Sequence, residues 1–210
     1  MERSASPRIF ESAALERLSR VHPAVPVVLF GPAIAWLAAY GLGRLPAATA
    51  GALALAGYLF WTLAEYWLHR ALFHLEPANR LGARLHWLIH GVHHDHPGDR
   101  ARLVMPPAAS VPLALAFFGL FVLVLGSSAA LPFTAGFLSG YLAYDVTHFH
   151  LHHGRPRKRL GRRLRERHMR HHFQDDTRGF GVSVSWWDGV FGTSPRRAGR
   201  AARVRLGAER

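Results

Sequence analysis

Three long runs without a charged side chain constrain the fold of this chain more than any other feature of its sequence. They cover residues 23–43, 45–64 and 103–144, and the last run contains the turn-forming sequence GSSAALP at 126–132. An α-helix needs about 20 mainly apolar residues to cross a bilayer, so the last run is long enough for two helices. The sequence therefore predicts an all-α integral membrane protein with four transmembrane helices arranged as two hairpins.

The charged residues lie in blocks between these runs and give the predicted hairpins an orientation. The formal net charge of +13 would suit a nucleic-acid-binding protein, but such proteins usually spread their charge over a soluble domain. Of the 26 Lys and Arg residues, only Arg44 falls in a hairpin connection. Because positively charged segments stay preferentially in the cytoplasm, we expect both termini to be cytoplasmic. The excess of Arg over Lys is typical of GC-rich bacterial genomes and favours the bacterial inner membrane.

Histidines are concentrated where the second and the fourth predicted spans end. The chain has 15 histidines and no cysteine, so any metal must be held by nitrogen and oxygen. Two HxxHH motifs, at 90–94 and 168–172, each place three imidazoles on one face of an α-helix. Only His22 lies apart from the predicted cytoplasmic boundary clusters. A shared metal site on that side of the membrane explains this pattern better than unrelated polar surfaces do.

Two further pairs extend the pattern, although one of them does not fit a regular helix. His148 and His152 lie one turn apart and share a face. His69 and His74 are five residues apart, about 140° on an ideal α-helix, so they need a distorted turn or different partners. The two pairs and the two HxxHH motifs contain ten imidazoles, which are more than one ion can bind. The sequence therefore predicts two metal ions.

The type of metal follows less directly from the sequence, because imidazole binds zinc, copper, iron and nickel. A zinc pair would indicate a membrane hydrolase that uses an activated water, whereas an iron pair would indicate oxygen activation. A metal-transport protein would place its ligands within the spans, but the uncharged runs contain almost no histidine. A metal site against the bilayer favours an enzyme that acts on an acyl chain.

Five motifs in the chain resemble those of the fatty acid hydroxylase superfamily, and the closest similarity is to the fatty acid 2-hydroxylase group. The similarity covers about residues 55–193 and is specific, because both the order and the spacing of the motifs agree. The motifs are HRALFH (69–74), HGVHHDHPGDRARLVMPP (90–107), GYLAYDVTHFHLHHG (140–154), RHMRHH (167–172) and GFGVSVSWWDGVFGT (179–193). The resemblance implies a membrane enzyme that hydroxylates a lipid acyl chain with dioxygen, most simply at the 2-position. Sterol or carotenoid hydroxylation or desaturation is the alternative within the superfamily.

The resemblance also implies a cytoplasmic helical cap that holds two metal ions, with iron expected for activity and zinc compatible with the purified protein. Tyr144 and Asp145 match the family's Tyr-Asp pair and are the expected catalytic residues. The implied metal ligands are His69, His74, His90, His93, His94, His148, His152, His168, His171 and His172. The other histidines of the clusters, His86, His96, His150 and His153, are expected in the outer shell or at the surface.

We divide the chain into a cytoplasmic segment (1–22), a hydroxylase-like membrane domain (23–193) and a basic, loosely ordered tail (194–210). The first 22 residues are too few for the cytochrome b5 domain that begins many eukaryotic relatives. A separate electron donor, similar to cytochrome b5 or ferredoxin, is therefore expected. The basic run RPRKRLGRRLRER (155–167) can bind anionic lipid, fix the topology or dock such a donor. The aromatic segment WWDGVFGT (186–193) is expected to pack over the cap, as a hydrophobic plug or near the metals.

Overall fold

The computed structural model of the chain describes residues 6–75 and 77–196, and within these ranges it is helical and contains no β-strand. Two π-helical segments, Leu68–Phe73 and Trp87–Gly91, interrupt the α-helices. The α-helices are α1 (Ala13–Leu18), α2 (Val25–Leu42), α3 (Ala47–Trp67), α4 (Arg80–His86), α5 (Val92–Asp95), α6 (Pro107–Leu125), α7 (Ser127–His153), α8 (Arg159–Phe173) and α9 (Trp186–Val190). The predicted tail, 194–210, lies outside the described residues apart from 194–196.

Three of the helices in the described residues are long and apolar enough to cross a membrane. They are α2, α3 together with the π-helical segment that follows it, and α6. The fourth predicted span corresponds to α7, which is not among them although it is 27 residues long. α7 packs against α2, α3 and α6, and much of it is buried in protein. A helix in that position can carry polar side chains, because protein covers it instead of lipid.

The crossing of α3 and α7 depends on small residues that let the two backbones touch. A Cβ atom added at Gly136 would lie 1.8 Å from the carbonyl oxygen of Ala54, and one added at Gly57 would lie 1.9 Å from that of Phe133. Small residues at such contacts are typical of helix packing within membranes. Around the crossing, Trp61 and Phe137 pack edge to face, with ring centroids 5.1 Å apart. This crossing therefore fixes the position of α7 against α3. The same helix, α7, carries His148 and His152 near its C-terminal end.

The helix boundaries differ from the sequence predictions at two places that matter for the site. The second apolar run ends at Ala64, but α3 continues through Glu65 to Trp67 and then into the π-helical segment. The turn predicted within 126–132 is confined to Gly126, whose φ of 76° favours glycine, because α7 begins at the next residue. The first difference extends α3 toward His69 and His74, whereas the second lengthens α7 at the end remote from His148 and His152.

Candidate metal centre

The structure brings ten histidines together in two groups of five. Within each group, one ring nitrogen per residue lies within 4.8 Å of the corresponding nitrogen of every other member. The first histidine group is His69, His74, His90, His94 and His171. The second histidine group is His93, His148, His152, His168 and His172. These are the ten histidines that the resemblance implied, whereas His22, His86, His96, His150 and His153 belong to neither group.

A π-helical turn brings His69 and His74 together. The segment Leu68–Phe73 is wound as a π-helix, in which the backbone hydrogen bonds span five residues instead of four. Residues five apart are then neighbours, and the Nε2 atoms of His69 and His74 lie 3.3 Å apart. The distorted turn that the spacing of this pair required is therefore present. A π-bulge within an α-helix occurs frequently at functional sites.

Each HxxHH motif contributes to both groups, although the sequence predicted that its three imidazoles would point the same way. His90 and His94, four residues apart, belong to the first group, with their Nε2 atoms 3.0 Å apart, whereas His93 belongs to the second. In α8 the i and i+4 histidines, His168 and His172, belong to the second group, and the i+3 histidine, His171, belongs to the first. Residues i and i+4 differ by only about 40° around an α-helix, whereas i+3 and i+4 differ by about 100°. Each motif therefore connects the two groups.

Burial keeps the histidines of the centre in the neutral form, in which a ring nitrogen has a free lone pair. Burial and the neighbouring imidazole of His171 lower the pKa of His74 and His94 to about 3. Burial, together with nearby histidines, also holds the pKa of His90, His93 and His168 well below the usual range. Metal binding requires neutral imidazole, so no proton has to be displaced at neutral pH.

The nitrogen arrangement fits metal ions. Metal–imidazole bonds are about 2.1 Å long, so nitrogens on opposite sides of one ion are about 4.2 Å apart, close to the span of each group. His152 and His168 have their Nε2 atoms 2.7 Å apart, and those of His93 and His172 are 3.1 Å apart. Among the described residues, both ring nitrogens of buried His148 lack a hydrogen-bond partner. A bound ion would satisfy one of them, so the residues present fit a metal pair.

Backbone carbonyls orient two members of the first group. His69 donates from Nδ1 to the carbonyl oxygen of Phe180 at 2.7 Å, and His171 donates from Nδ1 to that of Arg178 at 2.8 Å. With Nδ1 protonated, Nε2 of each ring is left as the metal-binding atom. His86 acts one step further out, because its Nε2 donates to the carbonyl of Phe73, directly before His74. An outer-shell role was the expectation for His86.

Two buried acids that the sequence analysis did not single out hold the loop that carries these carbonyls. Glu65 accepts hydrogen bonds from the backbone N–H groups of Val182 and Ser183, at 2.7 and 2.8 Å. Asp188 is fully buried and accepts from the backbone N–H groups of Phe180 and Gly181, at 2.9 and 3.2 Å. The sequence offered a signal for each acid, because Glu65 lies in an apolar helix and Asp188 is the one acid of an aromatic segment. A buried carboxylate needs hydrogen-bond partners, so both positions indicated a supporting role.

The aromatic segment around Asp188 packs on the end of α3. Trp187 donates from its indole nitrogen to Thr62 Oγ1 at 3.0 Å, and the ring of Phe191 stacks on Tyr66 with centroids 4.9 Å apart. The hydroxyl of Thr193 donates to Asp188 at 2.9 Å. The segment therefore both fills space beside α3 and anchors the loop that orients His69.

Replacing Asp188 with asparagine should weaken metal binding, because the amide cannot accept all the hydrogen bonds that the carboxylate accepts. Loss of such outer-shell support typically costs about 10–100-fold in metal affinity, and we expect a loss in that range. Competition with a chromophoric chelator measures the affinity. The control is Asp176→Asn, at an exposed position in the loop after α8. Equal affinities of the two variants would contradict the role given to Asp188.

An apolar cavity of about 260 Å³ opens beside the second histidine group. Its lining includes His90, His93 and His148, together with Tyr144 and Asp145. The ring of Tyr144 stacks on that of His148 with centroids 5.5 Å apart, and Asp145 is buried one turn before it. The rest of the lining is mainly aliphatic and aromatic. The two predicted catalytic residues therefore lie where an apolar cavity meets the histidines.

Comparisons of the sequence with a family model and with known proteins agree on one family. The family model for fatty acid hydroxylase matches residues 54–193. Dihydroceramide fatty acyl 2-hydroxylase FAH2 of Arabidopsis thaliana is 39% identical over 191 residues, which are 90% of this chain and 80% of that protein. Fatty acid 2-hydroxylase of Mus musculus is 42% identical over 141 residues, which are 65% of this chain and 38% of the mouse protein.

A solved structure shares the fold as well as the sequence. The structure titled "Full length scs7p (only hydroxylase domain visible)" superposes with a TM-score of 0.87 and 36% sequence identity, and the match covers 91% of this chain and 73% of that one. The region that the family model matches contains every histidine of both groups. The chain therefore belongs to the fatty acid hydroxylase family.

Proposed function

We propose that this protein hydroxylates the carbon next to the carbonyl group of a fatty acyl chain, with dioxygen as the oxidant. The single observation that supports this most strongly is an apolar cavity that opens onto two five-histidine groups. The chain is an oxygen-dependent hydroxylating oxidoreductase by family, and the relatives named above act on fatty acids or on dihydroceramide acyl groups. The substrate is a long acyl chain, either free or in amide linkage.

All ten histidines are proposed ligands, five for each of two iron ions. An all-nitrogen shell suits iron, and zinc would also bind it, so the metal found after purification need not be the active one. When bound, the metal pair supplies the oxidising power, and the protein supplies position and exclusion of water. The chain's own residues hold the acyl carbon close to the second histidine group.

Tyr144 and Asp145 are proposed to contact the substrate at the inner end of the cavity. Both line it, and both precede His148 on α7 by about one turn. The Asp145 Oδ2 atom is buried and has no hydrogen-bond partner among the described residues. A polar group near the acyl carbonyl, such as an amide N–H or a hydroxyl, would satisfy it. Such a contact would place the adjacent carbon, and not one further along the chain, next to the metals.

The proposed topology has four spans, with α7 as the fourth. The connection between α2 and α3 (43–46) and the one between α6 and α7 (Gly126) are short, so each pair is taken as a hairpin. Both histidine groups then lie at the other ends of the spans, with nearly all the Lys and Arg residues. The positive-inside bias supports a cytoplasmic location for the metal centre, in the inner membrane of a bacterium.

The partner proposed for electron supply is a separate acidic redox protein that docks on α8. The first turns of α8 and the residues before it expose six cations: Arg155, Arg157, Lys158, Arg159, Arg162 and Arg163. Cations near a helix N-terminus oppose the helix dipole, so they do not serve the stability of α8. The last turns of the same helix carry His168, His171 and His172. A donor bound to this basic surface would therefore contact the same helix that carries proposed ligands of both metal ions.

Reversing one of these charges should slow electron delivery without changing the metal centre. We expect Arg162→Glu to raise the donor concentration needed for half-maximal turnover by about 10-fold at low ionic strength. Turnover at saturating donor should change little. Soluble cytochrome b5 and a ferredoxin are the donors to test. Arg84→Glu, at an exposed position on α4, is the matched control. A defect that persists at saturating donor, or an equal effect in the control, would contradict docking on α8.

The proposed function is tested by mass spectrometry of total fatty acids from bacteria that express the chain or carry the empty vector. We expect fatty acids with a hydroxyl at the 2-position only in the expressing cells, provided that a redox donor is co-expressed. A hydroxyl at another carbon would reassign the position of attack. Hydroxylation of an added sterol or carotenoid, with unchanged fatty acids, would overturn the acyl assignment.

A further inference from the structure

The N-terminal segment 6–20 forms part of the wall of the cavity beside the second histidine group. Four apolar side chains of this segment, those of Ile9, Phe10, Leu15 and Leu18, line the cavity. The segment lies outside residues 54–193, the part of the chain that the family model matches. The histidine end of the cavity therefore lies within the region that the family model matches, whereas this part of its wall lies outside that region.

A buried arginine ties the segment to the loop that forms the neighbouring wall. Arg102 is buried and donates to the carbonyl oxygen of Pro7 at 2.9 Å, to Glu16 at 2.5 Å and to the hydroxyl of Ser6. Asp99, also buried, accepts from the backbone N–H of Ser6 at 3.1 Å. Leaving a buried charge unpaired is strongly destabilising, so these contacts favour one position of the segment.

Glu16 fixes the part of the segment that faces the cavity. Its Oε2 atom accepts hydrogen bonds from the backbone N–H groups of Ile9 and Phe10, at 3.0 and 3.3 Å, while Oε1 pairs with Arg102. The backbone before α1 is thereby folded back onto the helix. Ile9 and Phe10 are half-buried, and both line the cavity. The polar groups of the segment therefore form hydrogen bonds with Arg102, Asp99 and Glu16, which together anchor it, whereas its apolar side chains line the cavity.

The outer side of the segment is apolar as well. Leu15 is 50% exposed and Leu18 is 66% exposed, although both also contribute to the cavity lining. Exposed leucines in a short amphipathic helix that precedes a membrane span are suited to the bilayer interface. An acyl chain that enters from the membrane would pass this segment before it reaches the histidines.

We infer that the segment 6–20 is the outer wall of the acyl-binding site and that Phe10 contacts the bound chain and limits which acyl chains fit. The inference rests on the proposed function for the identity of the ligand. Arg102 and Glu16 hold the wall in place as positioning residues. Enlarging the side chain at position 10 shortens the space available to the acyl chain, and releasing the anchor exposes Phe10.

The absence of cysteine from the chain allows a test that does not depend on turnover. In Phe10→Cys the introduced thiol is unique, and its rate of modification by N-ethylmaleimide reports access to position 10. Palmitate, or an amide of palmitate with a sphingoid base, should slow modification several-fold. Glu11→Cys, at the adjacent exposed position, is the control and should not be protected. Combining Phe10→Cys with Glu16→Gln should speed modification in the absence of lipid.

A second readout separates this inference from the proposed function. Phe10→Trp should shift the hydroxylated products toward shorter acyl chains, while Glu11→Trp leaves their distribution unchanged. Equal protection of the thiols of Phe10→Cys and Glu11→Cys, or no protection by either lipid, would contradict the inference that segment 6–20 forms a wall of the acyl-binding site. An unchanged product distribution in Phe10→Trp would contradict it as well. If the unmodified chain makes no hydroxy acid although palmitate selectively protects the thiol of the Phe10→Cys variant, the proposed reaction fails and the binding wall stands.

Discussion

Replacing His148 with alanine is expected to remove one of two metal ions and to abolish the hydroxylated product. His148 is buried in the second histidine group, and neither of its ring nitrogens has a hydrogen-bond partner among the described residues, so a bound ion is the partner that fits. Outer-shell changes alone cost up to about 100-fold, and loss of a ligand should cost at least that much. Elemental analysis of the purified protein should give about two ions per chain before the change and about one after it.

The control for this prediction is another histidine of the same helix. His150 is exposed, lies two residues away and belongs to neither group. His150→Ala should therefore retain both ions and the full product yield. If His148→Ala kept two ions per chain, or if His150→Ala lost one, the division of the histidines into two groups of ligands would be wrong.

Replacing Gly136 with leucine is expected to prevent folding of the membrane domain. Even a Cβ atom at this position would overlap the carbonyl oxygen of Ala54, so α7 would have to move away from α3. Overpacking of a core typically costs about 1–3 kcal/mol, and a contact between backbones leaves less room to relax, so we expect a loss at or above the top of that range. Size-exclusion chromatography in mild detergent measures the folded, monodisperse fraction.

Gly119→Leu is the matched control, because a Cβ atom at Gly119 meets nothing within 4 Å and the residue is exposed on α6. That variant should behave like the unmodified protein. Normal yield and monodispersity of Gly136→Leu would show that α3 and α7 do not cross as closely as described.

The helical membrane class and the set of clustered histidines could be predicted from the sequence because each depends on local pattern. Apolar run length indicates membrane helices, and histidine spacing indicates shared faces. The division of the HxxHH motifs could not be predicted in the same way. Whether His93 faces His90 or His148 depends on how the second π-helical segment joins α5 and on where α7 lies, and both are set by tertiary packing.

The supporting residues were missed for a related reason. Glu65 and Asp188 are 123 positions apart in the chain, and both hold the same loop by hydrogen bonds to backbone N–H groups. No side-chain pattern encodes such contacts. The burial of α7 was a further limit, because the sequence predicted a span there, whereas its packing among α2, α3 and α6 depends on tertiary contacts.

The most direct measurement of the central claim is the source of the oxygen atom in the product. Cells that express the chain with a redox donor would be supplied with isotope-labelled dioxygen in ordinary water, and the 2-hydroxy fatty acids would be analysed by mass spectrometry. An oxygenase built on the two histidine groups predicts that the hydroxyl carries the label. A hydroxyl without the label, which becomes labelled when ordinary dioxygen and isotope-labelled water are supplied instead, would contradict oxygen activation and indicate that the oxygen atom comes from water.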